Sequence, residues 1–212
     1  MTPLEKVVWA VAENLALGWF EPAPIQFTQT HEKAVPRVRA AIQSGGGAEP
    51  SSFAFPVNRN DFLCGCLDYT EAESIEVLIV GYGYRHGSAS KIHGVHSARG
   101  TVDTVAIPPH VQRAMQQHHA SSSKAEVIIF HNHPVNPLNL LLDNLPLASG
   151  TDRLTLEYLA LAPDQVAQSL FGGGRVLCYL GENGFVKQFR LPTIQSMLQR
   201  TQTSGNSLGR AL

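Results

Sequence analysis

"EVIIFHNHPV", residues 126–135, runs an apolar stretch straight into two histidines separated by one residue. With Ala125 in front of it, the run to Phe130 reads as a buried strand, short and rich in branched apolar side chains. In a strand, residues i and i+2 share a face, so His131 and His133 can aim both imidazoles at one point beyond the apolar body. Pro134 has no N–H to donate and ends the ladder there. Three readings of the triplet compete: a metal site, a nuclease motif spelled with the same letters, or two ordinary histidines in a turn.

The chain on either side supplies strands and helices in irregular alternation. Upstream, "SIEVLIVGYG" (74–83) reads as a buried strand ending in a glycine turn, and "KIHGVHSA" (91–98) as a second. A helix is expected to start near Pro109, where proline is tolerated in the first turn. Downstream, "GTDRLTLEYLALAP" (150–163) reads as a helix opening in acidic Asp152, and "RVLCYLGENGFVKQFRLP" as two strands joined at "ENG". These elements imply an α/β (α+β) domain over 53–200, a central mixed sheet flanked by helices. Residues 1–52 read as an N-terminal helical extension. It holds an amphipathic helix over 4–18, a short helix over 31–43 interrupted at Pro36, and a glycine-rich joint, "SGGGAEPSS", at 44–52. The stretch 201–212 reads as a disordered tail.

Composition narrows the function classes. The 212 residues are 43% hydrophobic and 16% charged, with a formal net charge of -1, a balance that argues against a broad basic footprint for nucleic acid. No apolar run is long enough to span a bilayer, and Glu5 and Glu13 within the first apolar pattern argue against a signal peptide. Three cysteines do not make a disulfide framework, so the expected compartment is the cytoplasm.

A catalytic zinc usually takes three protein ligands and keeps one open position. After His131 and His133, the best third donor downstream is Asp152, preceded by Ser149, giving His-x-His-Pro … Ser-x-x-Asp. Two imidazoles and a carboxylate suit zinc and leave room for a water whose pKa the metal lowers to about 7.

"HNHP" followed by "SGTD" resembles the motif of the JAMM metalloproteases, also called the MPN+ or JAB domain, and especially their bacterial RadC-like branch. The likeness extends upstream to "RGTVDTVAIPPHVQRAM" (99–115) and to the acidic residue opening the early strand "ESIEVLIVG" at Glu73, and it covers about residues 70–165. It implies the JAMM/MPN (cytidine-deaminase-like) fold. It also implies one zinc ion per chain held by His131, His133 and Asp152, with Glu73 as general base and Ser149 donating a hydrogen bond to the oxyanion. Glu71 and Glu76 are rivals for the base; strand alternation puts Glu71 and Glu73 on one face and Glu76 on the other, which favours Glu73. The implied substrates are ubiquitin-like proteins or their lysine conjugates, entering as an extended strand beside a sheet edge. Activating and conjugating enzymes of an antiviral defence cluster are the implied partners. The sequence departs from the family in the fourteen residues 135–148, a longer gap than usual; lengthening a loop costs only about 0.6 kcal/mol per doubling. This insert, "VNPLNLLLDNLPLA", is apolar enough either to fold back on the core or to wall a substrate groove.

The nuclease reading fails, because in that motif the three letters stand for residues dispersed over a ββα unit. Two other readings of the whole chain stand beside the peptidase: a RadC-like protein of DNA metabolism on mobile elements, and a metal-free scaffold. Elsewhere, Cys64 and Cys66 read as buried, unreactive thiols. His93 and His96, three apart in a strand, are expected on opposite faces, and His118 and His119 to be solvated at a helix end.

Overall fold

Branched apolar residues at 77–80 and 127–130 build two neighbouring central strands whose side chains are buried on both faces, which is why they read as continuous rather than alternating runs. The computed structural model describes residues 32–102, 105–134, 175–182 and 185–189. Their elements are, in chain order, α1 (Ala34–Ser44), β1 (Ser51–Asn58), α2 (Arg59–Thr70), β2 (Val77–His86), β3 (Ala89–Arg99), α3 (Pro109–Ser121), β4 (Ala125–Asn132), β5 (Arg175–Glu182) and β6 (Phe185–Phe189). The strands form one sheet in the order β1-β3-β2-β4-β5-β6. All neighbours are antiparallel except β4 and β5, so the sheet is mixed, and the molecule is α/β as expected. Parallel neighbours need a crossover, and the chain between 134 and 175 makes that connection.

Alternation along the central strands sorts the core into two layers. Val77, Ile79, Ile128 and Phe130 pack with Val38 and Ile42 of α1 and Phe62, Leu63 and Cys66 of α2. Leu78, Val80, Tyr82, Val127 and Ile129 pack on the other face with Val111 and Met115 of α3. On the first face two glycines set the fit. A Cβ at Gly65 would lie 2.5 Å from Val38, and one at Gly81 would lie 2.7 Å from the ring of Phe62. The α1–α2 crossing and the seat of Phe62 on the sheet therefore both require glycine. On both faces, burial of these side chains contributes about 1.5–3 kcal/mol per large apolar residue.

Several sequence expectations change. The boundary expected at 52 does not separate an extension from the domain: Val38 and Ile42 of α1 are fully buried in the same core, and β1 already pairs with β3 from Ser51. Pro36 does not interrupt that helix, because α1 begins at Ala34 and places the proline in its first turn. The glycine-rich joint is tied to β3: Ser97 donates its N–H to Gly45 O at 2.9 Å and its Oγ to Ile42 O at 2.7 Å. β1 and α2 have no clear sequence signal. Pro56 argues against a strand, and β1 tolerates it as an edge of the sheet. α2 is buried against both α1 and the sheet, so it lacks a clean polar stripe.

β2 starts at Val77, three residues later than expected, and residues 73–76 lie outside the strand. The expected helix at Pro109 and the two strands of 175–189 are present. The helices expected over 4–18 and 150–163, the insert 135–148 and the tail 201–212 lie outside the described residues. No helix among the described residues is long and apolar enough to cross a membrane.

Candidate metal centre

The carboxyl end of β4 carries the site. His131 is the last β4 residue paired with β2, opposite Leu78, and so shares the α3 side of the sheet with Leu78 and Ile129. His133 follows two residues later, and its N–H donates to Gly181 O of β5 at 3.2 Å. The two imidazole rings stand with centroids 5.2 Å apart and planes at 65°. The apolar strand thus does what its pattern implies and delivers two nitrogen donors to one place. Both residues are mostly buried at the mouth of the sheet rather than inside it.

The carboxylate beside the pair is that of Glu76, while Glu73 pairs elsewhere. Oε1 of Glu76 lies 3.9 Å from Nε2 of His133, and Glu76 is 8% exposed. Its backbone is fixed on the β3 side: Glu76 N–H donates to Thr101 O at 2.7 Å, and Gly100 N–H donates to Glu76 O at 2.8 Å. Glu73 instead forms a two-pronged ion pair with Arg99, whose Nη1 donates to Oε1 at 2.9 Å and Nη2 to Oε2 at 2.5 Å. Arg99 pairs across the ladder with Val77, a residue of the α1–α2 face, and also reaches the Tyr69 hydroxyl at the end of α2. Glu73 and Glu76, three residues apart, therefore serve opposite sides of the sheet. Alternation expects Glu73 and Glu76 on opposite faces, and they lie so, although residues 73–76 precede β2.

Ser149 and Asp152 lie outside the described residues. Among the described residues, no three histidine, cysteine, aspartate or glutamate side chains are close enough to hold one metal ion. The pair of histidines needs a donor from elsewhere in the chain, and Glu76 stands beside the pair.

His93, His96, His110 and His118 form a separate aromatic layer on the same α3 face. Tyr82 and His96 join at 2.8 Å through the tyrosine hydroxyl and Nδ1, and His96 Nε2 lies 3.3 Å from Ala48 O. Donation from Nε2 to that carbonyl leaves Nδ1 to accept the tyrosine proton. Burial lowers the pKa of His96, the Ala48 hydrogen bond offsetting only part of the effect, and burial raises that of the Tyr82 phenol. His93 lies against Tyr84 with ring centroids 5.7 Å apart, on this same side. The expected split of His93 and His96 onto opposite faces fails because of a bulge. Tyr82 pairs with Gly94 and Gly83 with Ile92, so His93 is an extra residue in β3. The two histidines still flank different tyrosines and do not converge.

His118 and His119 are not solvated. His118 Nε2 bonds Gly83 O at 2.8 Å, and His119 is 2% exposed, because this side of α3 packs on the sheet. Of the cysteines, Cys66 and Cys178 are buried and Cys64 partly so. Burial pushes the Cys64 thiol up to about 11 and Cys178 to about 12, so they are protonated, inert thiols near neutral pH.

Glu76, a rival to Glu73 in the sequence, is the carboxylate beside His133, and Asn132, with no signal in the sequence, is buried and bonded to Val77 and Ile75. No family model, curated protein or solved structure matches this chain.

Proposed function

We propose that this chain is a zinc-dependent peptidase of the JAMM type, which hydrolyses the peptide or isopeptide bond joining a ubiquitin-like protein to its partner. The observation that carries the reading is the pairing of His131 and His133 at the open end of the central strand, with the imidazoles 5.2 Å apart and the Glu76 carboxylate 3.9 Å from His133. The chemistry of the donors fits zinc, which takes imidazole nitrogens readily and needs a carboxylate or similar group as third ligand. His131 and His133 would hold the ion with Asp152, the ligand that the family resemblance implies.

Bound there, zinc would supply Lewis-acid polarisation of the scissile carbonyl and a water activated for attack. Glu76 would accept the proton of the attacking water as the new C–O bond forms and would return it to the nitrogen as the C–N bond breaks. The products are a free carboxylate and a free amine. Ser149, by the same resemblance, donates a hydrogen bond to the developing oxyanion. Glu73 keeps a structural role as the partner of Arg99. A ubiquitin-like modifier, with activating and conjugating enzymes encoded nearby in a defence cluster, is the proposed biological setting, by analogy of fold.

The test is hydrolysis of a ubiquitin-like protein joined through its C-terminus to a lysine peptide. The zinc-loaded chain should release the lysine peptide, and a chelator or Glu76→Gln should stop release. No release by the zinc-loaded chain, or release that survives chelation, overturns the proposal. Salt-dependent binding of DNA together with no hydrolysis would favour the RadC-like reading in DNA metabolism instead.

A further inference from the structure

Asn132, between the two histidines, is 2% exposed and shares the α1–α2 side of β4 with Phe130, away from His131 and His133. Its Oδ1 accepts the Val77 N–H at 2.7 Å, and its Nδ2 donates to Ile75 O at 3.3 Å. These two groups bracket Glu76, whose own N–H and C=O are bonded to Thr101 and Gly100 on the other side. Residues 75–77 are therefore held as a strand is held between two neighbours, except that one neighbour is a side chain.

The reason lies in the register. Backbone pairing of β4 with β2 stops at His131 opposite Leu78, while Asn132 already pairs with Gly181 of β5, and His133 bonds that glycine's carbonyl. Past the last rung toward β2, the Asn132 carboxamide takes the place of a backbone partner for residues 75 and 77. A carboxamide that bonds both Val77 and Ile75 fixes where the backbone on either side of Glu76 lies relative to the end of β4. The Glu76 carboxylate lies 3.9 Å from His133.

We infer that Asn132 is a positioning residue, whose carboxamide sets the distance and angle between the Glu76 carboxylate and the His131–His133 pair. The inference rests on the peptidase reading above, in which Glu76 moves the proton. A displacement of a catalytic group by about 1 Å can cost on the order of 100-fold in rate, so the spacing matters more than the hydrogen bonds' contribution to stability.

The experiment is a double-mutant cycle on the zinc-loaded full chain, with the ubiquitin-like isopeptide as substrate and amide hydrogen exchange as a second readout. Asn132→Ala should lower kcat by about 10–100-fold with KM within about twofold. Zinc content should stay at the wild-type level, and the Val77 amide should lose protection while Ile128 keeps it. In a Glu76→Gln background the same substitution should change kcat by less than about twofold, because the group it positions is gone. Equal losses in both backgrounds, or an unchanged kcat with an exposed Val77 amide, overturn the inference and leave the peptidase reading standing. Should Asn132→Ala fail to fold, Asn132→Asp keeps the volume and the acceptor for Val77. It should give a smaller loss that again requires Glu76, and a loss independent of Glu76 counts against the inference. A zinc-loaded wild type that cleaves nothing while Val77 remains protected overturns the peptidase reading, and the positioning role with it.

Discussion

The two faces of the sheet are built from the same central strands and do different work. The α1–α2 face is a dense apolar layer in which Phe62 and Phe130 are fully buried and glycine is required at 65 and 81. The α3 face has a shorter apolar strip of Leu78, Val80, Val127 and Ile129. Around that strip stand Tyr82, His96, His118, and, at its mouth, His131, His133 and Glu76. A strand that alternates sides can give one face to apolar packing and the other to polar groups. The pair Glu73 and Glu76 shows how sharp the division is, since three residues separate the ion-pair partner of Arg99 from the carboxylate beside His133.

Substitutions on the two faces should separate turnover from stability. The largest effect is expected from Glu76→Gln, which removes the proton carrier and should lower kcat by about 10²–10⁴-fold while zinc content holds; steady-state kinetics with metal analysis reads both. On the packed face, Phe62→Ala should cost about 3–5 kcal/mol in urea unfolding yet leave the zinc affinity of the folded chain unchanged. Tyr82→Phe deletes the donor to His96 Nδ1 in a buried layer and should cost about 1–3 kcal/mol, again by urea unfolding. A large loss of turnover in Phe62→Ala at a temperature where it is folded would break the comparison.

Acid should weaken the α3 face in a defined direction. Burial lowers the pKa of both His96 and His118, so the native state holds them neutral while the unfolded chain takes up protons near 6.5. Their contribution is complete above that pH and declines as pH falls from there through the lowered native values. Urea midpoints of the metal-free chain between about pH 8 and pH 5 should show this decline. It should shrink when both histidines are replaced by glutamine. The smallest effect belongs to Glu73→Gln. Its partner Arg99 is about half exposed, so the loss should stay within about 1 kcal/mol, with turnover near the wild-type rate. A collapse of turnover in Glu73→Gln would return the base to the residue favoured by strand alternation.

Much of the fold was legible because periodicity survives burial. "AEVIIF" is a strand, and the two strands expected on either side of "ENG" pair with one another. The histidine pair was legible for the same reason, since the i, i+2 rule is geometry rather than preference. What escaped detection depended on tertiary context. α2 packs on two sides, and β1 is an edge strand containing Pro56. The bulge at His93 reverses a face through one extra residue that nothing in "KIHGVHSA" announces. Alternation separates Glu73 from Glu76 but does not say which stands beside the histidines, because that depends on the pairing of Leu78 with His131. The Val77 N–H at the start of β2 is taken by Asn132, 55 residues away in the chain.

The most direct test of the account is a zinc titration of the metal-stripped chain beside His131→Ala and His133→Ala. The account predicts about one tightly bound zinc per wild-type chain and a large loss of affinity in each variant. A wild type that takes up no stoichiometric zinc, or variants that bind it as tightly, would contradict it.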